Sequence, residues 1–173
     1  MQFKAKAAGL AAGVAALTAS LIGGALPAQA YDPDPTVSSY SRDTDTCPCS
    51  GGTLGDPFDG TYFEYDAGGT ARKLELYSGD WFVGKVEFHP YQQKLWVYDT
   101  KNDGDTFYVH VAVDNHDGHG LTGWGQYKAP GTSAVMDYET FTLRNVSEGA
   151  SIRIRVFDDE HHTDLIATAY GTA

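Results

Sequence analysis

Short runs in which apolar and polar residues alternate are the feature of this sequence that most restricts its fold. Ile152, Ile154 and Val156 are separated from one another by single arginines. The same period of two returns at 107–113, where Phe and Val take every second position. Such a period with one apolar face is typical of antiparallel strands that are buried on one side.

Nine runs of this kind are predicted after Gly60. They cover 61–66, 72–77, 81–89, 94–99, 106–113, 121–128, 138–144, 151–157 and 165–170. Gly, Asn, Asp and Pro separate them, as tight turns require, and no window has the period of an amphipathic helix. We therefore expect an all-β protein built as a single antiparallel β-sandwich, with a closed β-barrel as the alternative.

The N-terminus has the order of a secretory signal peptide. Lys4 and Lys6 precede an uncharged stretch rich in Ala and Gly, and Ala28-Gln29-Ala30 forms a small-residue cleavage motif. We expect 1–30 to be removed before Tyr31 and the protein to be secreted and extracellular, with cell-wall association left open. A transmembrane anchor is the alternative, because the uncharged stretch is long enough to span a bilayer.

The remaining chain divides by composition. Residues 31–58 are rich in Pro, Ser, Thr and Gly, and we expect a loosely ordered leader there. Residues 59–173 are expected to form the β-sandwich domain. The 143 residues left from 173 after cleavage suffice for one domain with its own core.

The charge of the chain excludes one class of partner. The formal net charge is −11, and removal of the two lysines of the signal peptide brings it to −13. Phosphate backbones attract proteins through basic patches that release counterions, so we expect no nucleic-acid partner. We also expect no membrane insertion after cleavage. A carbohydrate or a protein stays open as the ligand.

Two cysteines, Cys47 and Cys49, are too few to staple a fold. Their spacing across Pro48 leaves three interpretations open. They are a bridge with a redox role, a source of intermolecular bridges or metal-binding thiols, or a local tether. The domain must therefore be stabilised by its hydrophobic core.

The last half of the chain contains a series of strand and turn patterns. They are Val86-x-Phe88-x-x-Tyr91, Leu95-x-Val97-x-Asp99-Thr100-x-x-Asp103-Gly104, Gly131-Thr132, Glu148-Gly149 with Ile152-x-Ile154, and Gly171-Thr172-Ala173. In these patterns the chain resembles a family of small secreted actinobacterial β-sandwich proteins of unassigned function. The resemblance implies a β-sandwich and no particular activity. Members of that family often carry cysteines in the later strands, and this chain has none there.

Two acidic loops are similar to the calcium-binding loops of C2-type sandwiches, in which carboxylates from one end of the sandwich share calcium ions. The first loop lies at 99–105 and the second at 158–164. Calcium prefers six to eight hard oxygen ligands, which clustered Asp and Asn residues supply. The candidate calcium ligands are Asp99, Asp105, Asp158, Asp159 and Asp164. Solvated turns are the alternative, because Asp, Asn and Gly are common turn residues.

Other chemistries have weaker support in the sequence. His116, His119, His161 and His162 are potential zinc or copper ligands, but they lie in loops without a neighbouring thiolate. The chain has no G-x-S-x-G motif and no Gly-rich phosphate loop. A glycosidase needs only two suitably spaced carboxylates, so a small secreted hydrolase stays as an alternative.

Aromatic residues favour a binding function. Trp96 alternates with Leu95 and Val97, so we expect its side chain to face away from their apolar layer. An aromatic ring on a sheet face can stack on the apolar face of a sugar. Packing of Trp96 in a second core layer is the alternative. We interpret the chain as a secreted binding or interaction module without catalytic activity, with calcium as a candidate stabilising ion.

Overall fold

The computed structural model describes residues 31–101, 106–131 and 135–173. The expected signal peptide, 1–30, lies outside the described residues. The strands are β1 (Thr36–Asp43), β2 (Cys49–Ser50), β3 (Tyr62–Phe63), β4 (Thr70–Ser78), β5 (Trp81–His89), β6 (Lys94–Asp99), β7 (Tyr108–Asp114), β8 (Thr122–Lys128), β9 (Asp137–Thr142), β10 (Ser151–Phe157) and β11 (Leu165–Thr172). Short 3₁₀ turns cover Thr44–Thr46, Gly52–Leu54 and Tyr91–Gln93. The all-β prediction is confirmed.

Nine strands form one continuous antiparallel sheet with the order β8-β7-β10-β11-β4-β5-β6-β9, and β1 also pairs with β4. The sheet is narrowest between β11 and β4, which share the single residue pair Thr172–Thr70. The two halves on either side of this pair are the β8-β7-β10-β11 half and the β1-β4-β5-β6-β9 half. They fold over one another in the manner of a β-sandwich.

The hydrophobic core lies between the two halves. Val86, Phe88 and Leu95 contribute from one half, and Ile152 and Ile154 contribute from the other. All five side chains are buried, with at most 1 % of their surface exposed. The alternation that predicts these strands therefore also selects the residues that fill the core.

The predicted and observed strands agree best where the alternation is strongest. The predicted bounds 81–89, 94–99 and 151–157 are those of β5, β6 and β10. The run at 61–66 contributes only the two residues of β3, which pairs with β2 in a separate small sheet. The remaining strands begin or end within a few residues of their predicted bounds.

Segment 31–58, expected to be a loosely ordered leader, carries regular structure. It contains β1, β2 and two 3₁₀ turns, and β1 pairs with β4 from Thr36–Tyr77 to Asp43–Thr70. The sequence pattern misses β1 because Ser and Thr fill much of it and only Val37 packs on the core. Backbone hydrogen bonds with β4, rather than an apolar face, hold this strand.

A disulfide joins Cys47 to Cys49 within this segment. Cys47 is buried beside Leu54, Phe63 and Ala71 in a small second hydrophobic cluster. The bridge therefore packs against β4 through Ala71, next to the segment that continues to Phe63. In the part of the chain that the structure describes, no helix is long and apolar enough to cross a membrane.

The junction of the two halves depends on a glycine. A Cβ atom at Gly171 would lie 2.7 Å from Phe88 Cδ1 and 2.8 Å from the carbonyl oxygen of Thr70. We therefore expect Gly171→Ala to lower the free energy of unfolding by about 1–3 kcal/mol, because a buried ring and a backbone must both move. Urea unfolding measures the loss. Thr142→Ala, on exposed edge strand β9, is the control and should change it by less than about 0.5 kcal/mol. Equal effects would contradict the assigned packing.

Candidate functional site

A cavity of about 700 Å³ lies on the outer face of β5 and β6, away from the hydrophobic core. Its other wall is the segment around 50–64, which passes over this face. Its lining includes the polar side chains of Glu64, Glu87 and His89 and the aromatic rings of Trp96 and Tyr98. A cavity of this size is in the range of small-molecule binding sites.

Strand register places the polar and aromatic residues of this face in rows. Lys73 of β4 is opposite Glu87 of β5, and Glu87 is opposite Trp96 of β6. In the adjacent row, Lys85 is opposite Tyr98. Because side chains alternate along a strand, all five share the face that the core does not use.

Two buried lysines anchor the cavity wall. Lys85 Nζ lies 2.9 Å from Asp56 Oδ2, 2.5 Å from Asp59 Oδ1 and 2.8 Å from Glu87 Oε1. Lys73 Nζ lies 3.1 Å from Asp56 Oδ2 and 2.6 Å from Glu75 Oε1. We call Lys73, Lys85 and these four carboxylates the ion cluster. Both lysine side chains and the carboxylate of Asp56 are fully buried, whereas Asp59 is 44 % exposed.

Asp56 connects the cluster to the covering segment. Its Oδ1 accepts hydrogen bonds from the backbone N–H groups of Phe58, Asp59 and Gly60, at 3.0–3.1 Å. Its Oδ2 forms ion pairs with both Lys73 and Lys85. Burial by itself would raise the pKa of Asp56, but hydrogen bonds from Lys85 and Lys73 outweigh burial and hold the pKa far below its usual range. Asp56 therefore stays ionised and fixes the 56–60 loop over the sheet.

Glu87 links the cluster to the cavity. It accepts hydrogen bonds from Thr61 Oγ1 at 2.5 Å and from His89 Nε2 at 2.9 Å. Burial would raise the pKa of Glu87, but His89 and Lys85 lower it by more. Burial lowers the pKa of Lys85, but the carboxylates of Glu87, Asp59 and Asp56 raise it by more. Three carboxylates, those of Asp59, Glu64 and Glu87, line the cavity together with one lysine, Lys94, so the lining has an excess of acidic side chains.

Aromatic rings from β6 continue the sheet-side wall of the cavity beside Glu87. The ring centroids of Trp96 and Tyr98 are 6.2 Å apart, and Tyr138 of β9 stacks on both at 5.8 and 5.5 Å. Leu95 and Val97 are fully buried in the core while Trp96 lines the cavity, so the structure places Trp96 on the face that the sequence indicates. Tyr62, at 55 % exposure, brings a further ring from the covering segment.

No family model, no curated protein sequence and no solved structure matches the chain.

The candidate calcium ligands are placed as follows. Asp99, at the end of β6, is buried, and its Oδ1 accepts a hydrogen bond from the backbone N–H of Lys101 at 2.9 Å. Asp105 lies outside the described residues. Asp159 accepts hydrogen bonds from the backbone N–H groups of three residues in its own loop, at 2.5–2.8 Å. Burial would raise the pKa of Asp159, but these bonds lower it. Asp159 therefore organises its own loop.

Asp158 and Asp164 meet a carboxylate that the sequence analysis did not select. Asp34, Asp158 and Asp164 each offer an oxygen, and these oxygens lie within 4.8 Å of one another. We call these three residues the acidic triad. Asp34 belongs to the segment expected to be a leader, so only the tertiary fold brings it to the second acidic loop. Calcium binding stays a prediction of the sequence.

The histidines considered as transition-metal ligands are dispersed. Across the described ranges, the acidic triad is the only group of three or more potential metal-ligating side chains, and no histidine belongs to it. His89, which the sequence analysis did not select, is the histidine that lines the cavity. The signal that could have found the site is the row of alternating charges in β5, Lys85 and Glu87, opposite the outward-facing Trp96.

The ion cluster predicts loss of stability in acid. The pKa values of Asp56 and Glu87 in the folded protein lie below their ordinary values of 3.8 and 4.5. Their contribution to stability is therefore present above about pH 4.5 and is lost as the pH falls below it. We expect the free energy of unfolding in urea to drop by roughly 2 kcal/mol between pH 7 and pH 3 from these two groups.

Glu87→Gln should reduce this acid-dependent loss, because the substituted side chain does not titrate. Glu160→Gln, in an exposed loop, is the matched control and should leave the loss unchanged. If Glu87→Gln preserves the full pH dependence, the assignment of this carboxylate to the ion cluster is wrong.

Proposed function

We propose that this protein is a secreted, non-catalytic binding module whose cavity on the outer face of β5 and β6 takes a neutral carbohydrate. The observation that supports this most directly is the aromatic stack of Trp96, Tyr98 and Tyr138 beside fixed carboxylates. A sugar presents apolar C–H faces together with many hydroxyl donors. The cavity lining contains aromatic rings that can contact the C–H faces and carboxylates that can accept the hydroxyl hydrogens.

The polar part of the lining consists largely of acceptors. Glu87, Asp59 and Glu64 supply carboxylate oxygens, which accept the hydroxyl hydrogens of a sugar. Excess negative charge disfavours phosphorylated or sulfated ligands because like charges repel. A neutral polyhydroxylated ligand has no such penalty. The carboxylates therefore favour neutral sugars over anionic ones.

The rigidity of the cavity also supports binding. Hydrogen bonds and ion pairs with Thr61, Lys85 and His89 hold Glu87 in one position before any ligand arrives. A pre-formed site loses less conformational entropy on binding than a flexible one. The ion cluster therefore supplies the pre-organisation that a weakly interacting, strongly hydrated ligand such as a sugar requires.

A small secreted hydrolase is the competing function, and the electrostatics of the cavity count against it. A glycosidase acid needs a carboxyl group whose pKa is raised, so that it holds a proton near neutral pH. The pKa of Glu87, the buried carboxylate in this cavity, is lowered instead. Burial is the largest cause that raises the pKa of Asp34 and of Asp66, but neither residue lines the cavity.

Trp96→Ala tests the proposed site. We expect this variant to weaken binding to a neutral soluble polysaccharide by at least about tenfold, or about 1.4 kcal/mol, because the stacking surface is lost. Affinity electrophoresis against a panel of neutral and sulfated polysaccharides identifies the ligand, and calorimetry gives the dissociation constant. The sulfated members should not bind.

Trp81→Ala is the matched control. Trp81 is 80 % exposed and lies outside the cavity lining, so its removal should leave binding unchanged. Tyr62→Ala removes an exposed ring of the cavity wall and should weaken binding without altering the thermal melt. Equal losses for Trp81→Ala and Trp96→Ala would contradict the site. Release of reducing sugar during these assays would favour the hydrolase.

A further inference from the structure

Tyr31, the first residue of the described chain, is packed into the protein. Its side chain is 5 % exposed and belongs to the main hydrophobic core. The ring stacks on Phe107, with centroids 5.1 Å apart and an angle of 4° between planes. Lys101 Nζ lies 4.0 Å from the centre of the same ring. Tyr31, which directly follows the expected signal peptide, is therefore a core residue of the domain.

The backbone nitrogen of Tyr31 points at the acidic triad. It donates a buried hydrogen bond of 2.9 Å to Asp158 Oδ2, across 127 residues of sequence. Asp158 is fully buried, and Asp34 and Asp164 bring their carboxylate oxygens within 4.8 Å of one of its oxygens. Burial, then Asp164, then Asp32 raise the pKa of Asp34, as expected where carboxylates crowd together.

We propose that the acidic triad is the binding site for the α-ammonium group that signal cleavage creates at Tyr31. Hydrolysis of the Ala30–Tyr31 peptide bond adds one water molecule, leaving a carboxylate on Ala30 and a protonated amine on Tyr31. The Tyr31 nitrogen then changes from a neutral amide with one N–H into a cation with three. It does so beside three carboxylates whose oxygens lie within 4.8 Å of one another.

The same contact is stronger after cleavage than before it. A charge-assisted hydrogen bond is about twice as strong as a neutral one. In the uncleaved chain the amide of Tyr31 gives Asp158 a single neutral donor. After cleavage the ammonium pairs with Asp158 and reduces the repulsion within the triad. Signal cleavage would thereby raise the stability of the folded domain through the backbone nitrogen of Tyr31.

The inference does not depend on the carbohydrate cavity. The triad is formed by Asp34 and the 158–164 loop, and none of its residues lines that cavity. Failure of the sugar-binding experiments would leave this proposal standing, and failure of the experiments below would leave the cavity unaffected.

Two forms of the chain test the proposal. The first begins at Tyr31 and is released from an N-terminal fusion by a protease that leaves no extra residue. The second carries Gly-Ser before Tyr31, which moves the ammonium away while keeping an amide N–H at this position. We expect the first form to melt about 5 °C higher than the second. Equal melting temperatures would overturn the proposal.

Asp158→Asn, introduced into both forms, separates charge pairing from simple crowding by the extension. If the ammonium pairs with Asp158, the difference in melting temperature between the two forms should shrink to less than about 1 °C. If the extension merely clashes, the difference persists and the proposal fails. Asp80→Asn, at an exposed carboxylate in the turn between β4 and β5, is the matched control and should preserve the difference.

A chemical measurement keeps the test decisive if Asp158→Asn does not fold. An amine-acylating reagent, followed by mass spectrometry, should modify the α-amino group of the first form at least about tenfold more slowly than the Gly amine of the second. Equal rates would contradict the proposal. So would a native secreted chain that begins at another residue.

Discussion

The structure depends on two buried lysines that hold a loop onto the polar face of a sheet. A β-sandwich normally leaves the outer faces of its sheets in water, and here one outer face is covered. Lys73 and Lys85 make this possible because each contacts both the sheet carboxylates and Asp56 of the covering loop. Removal of either cation would leave buried carboxylates unpaired, which costs far more than the pairing itself contributes. The cavity exists because this loop is held in place.

The segment before β4 connects the two functional candidates. It supplies β1 to the sheet, Asp56 and Thr61 to the ion cluster, and Asp34 to the acidic triad. Its contacts are polar and backbone-mediated, apart from Tyr31, Val37 and the small cluster around Leu54 and Phe63. A segment of weakly apolar composition is therefore structured by the domain it covers.

Alternation along the chain was sufficient to predict the all-β class and the strands β5, β6 and β10, because those strands bury one regular face. It was also sufficient to place Trp96 opposite the core. It could not find β1, whose position comes from backbone pairing with β4. Nor could it find the ion cluster, because Lys85 and Glu87 have the pattern of solvent-facing residues. Only the loop from Asp56 to Thr61, distant in sequence, reveals that they are covered. Asp34 has no sequence signal either, because only the tertiary fold brings it to Asp158 and Asp164.

The burial of the two lysines of the ion cluster has a consequence for how the structure responds to salt. Mobile ions screen exposed charges within about 8 Å at an ionic strength of 0.15 M, but they do not enter a sealed interior. The pairs that Lys73 and Lys85 form with Asp56, Glu75 and Glu87 are buried on both sides, and only the pair with Asp59 has a carboxylate that is 44 % exposed. The part of the cavity wall that the buried pairs hold is therefore little affected by salinity. The face of β4 and β5 that carries the two lysines therefore keeps the same arrangement in dilute and in concentrated salt.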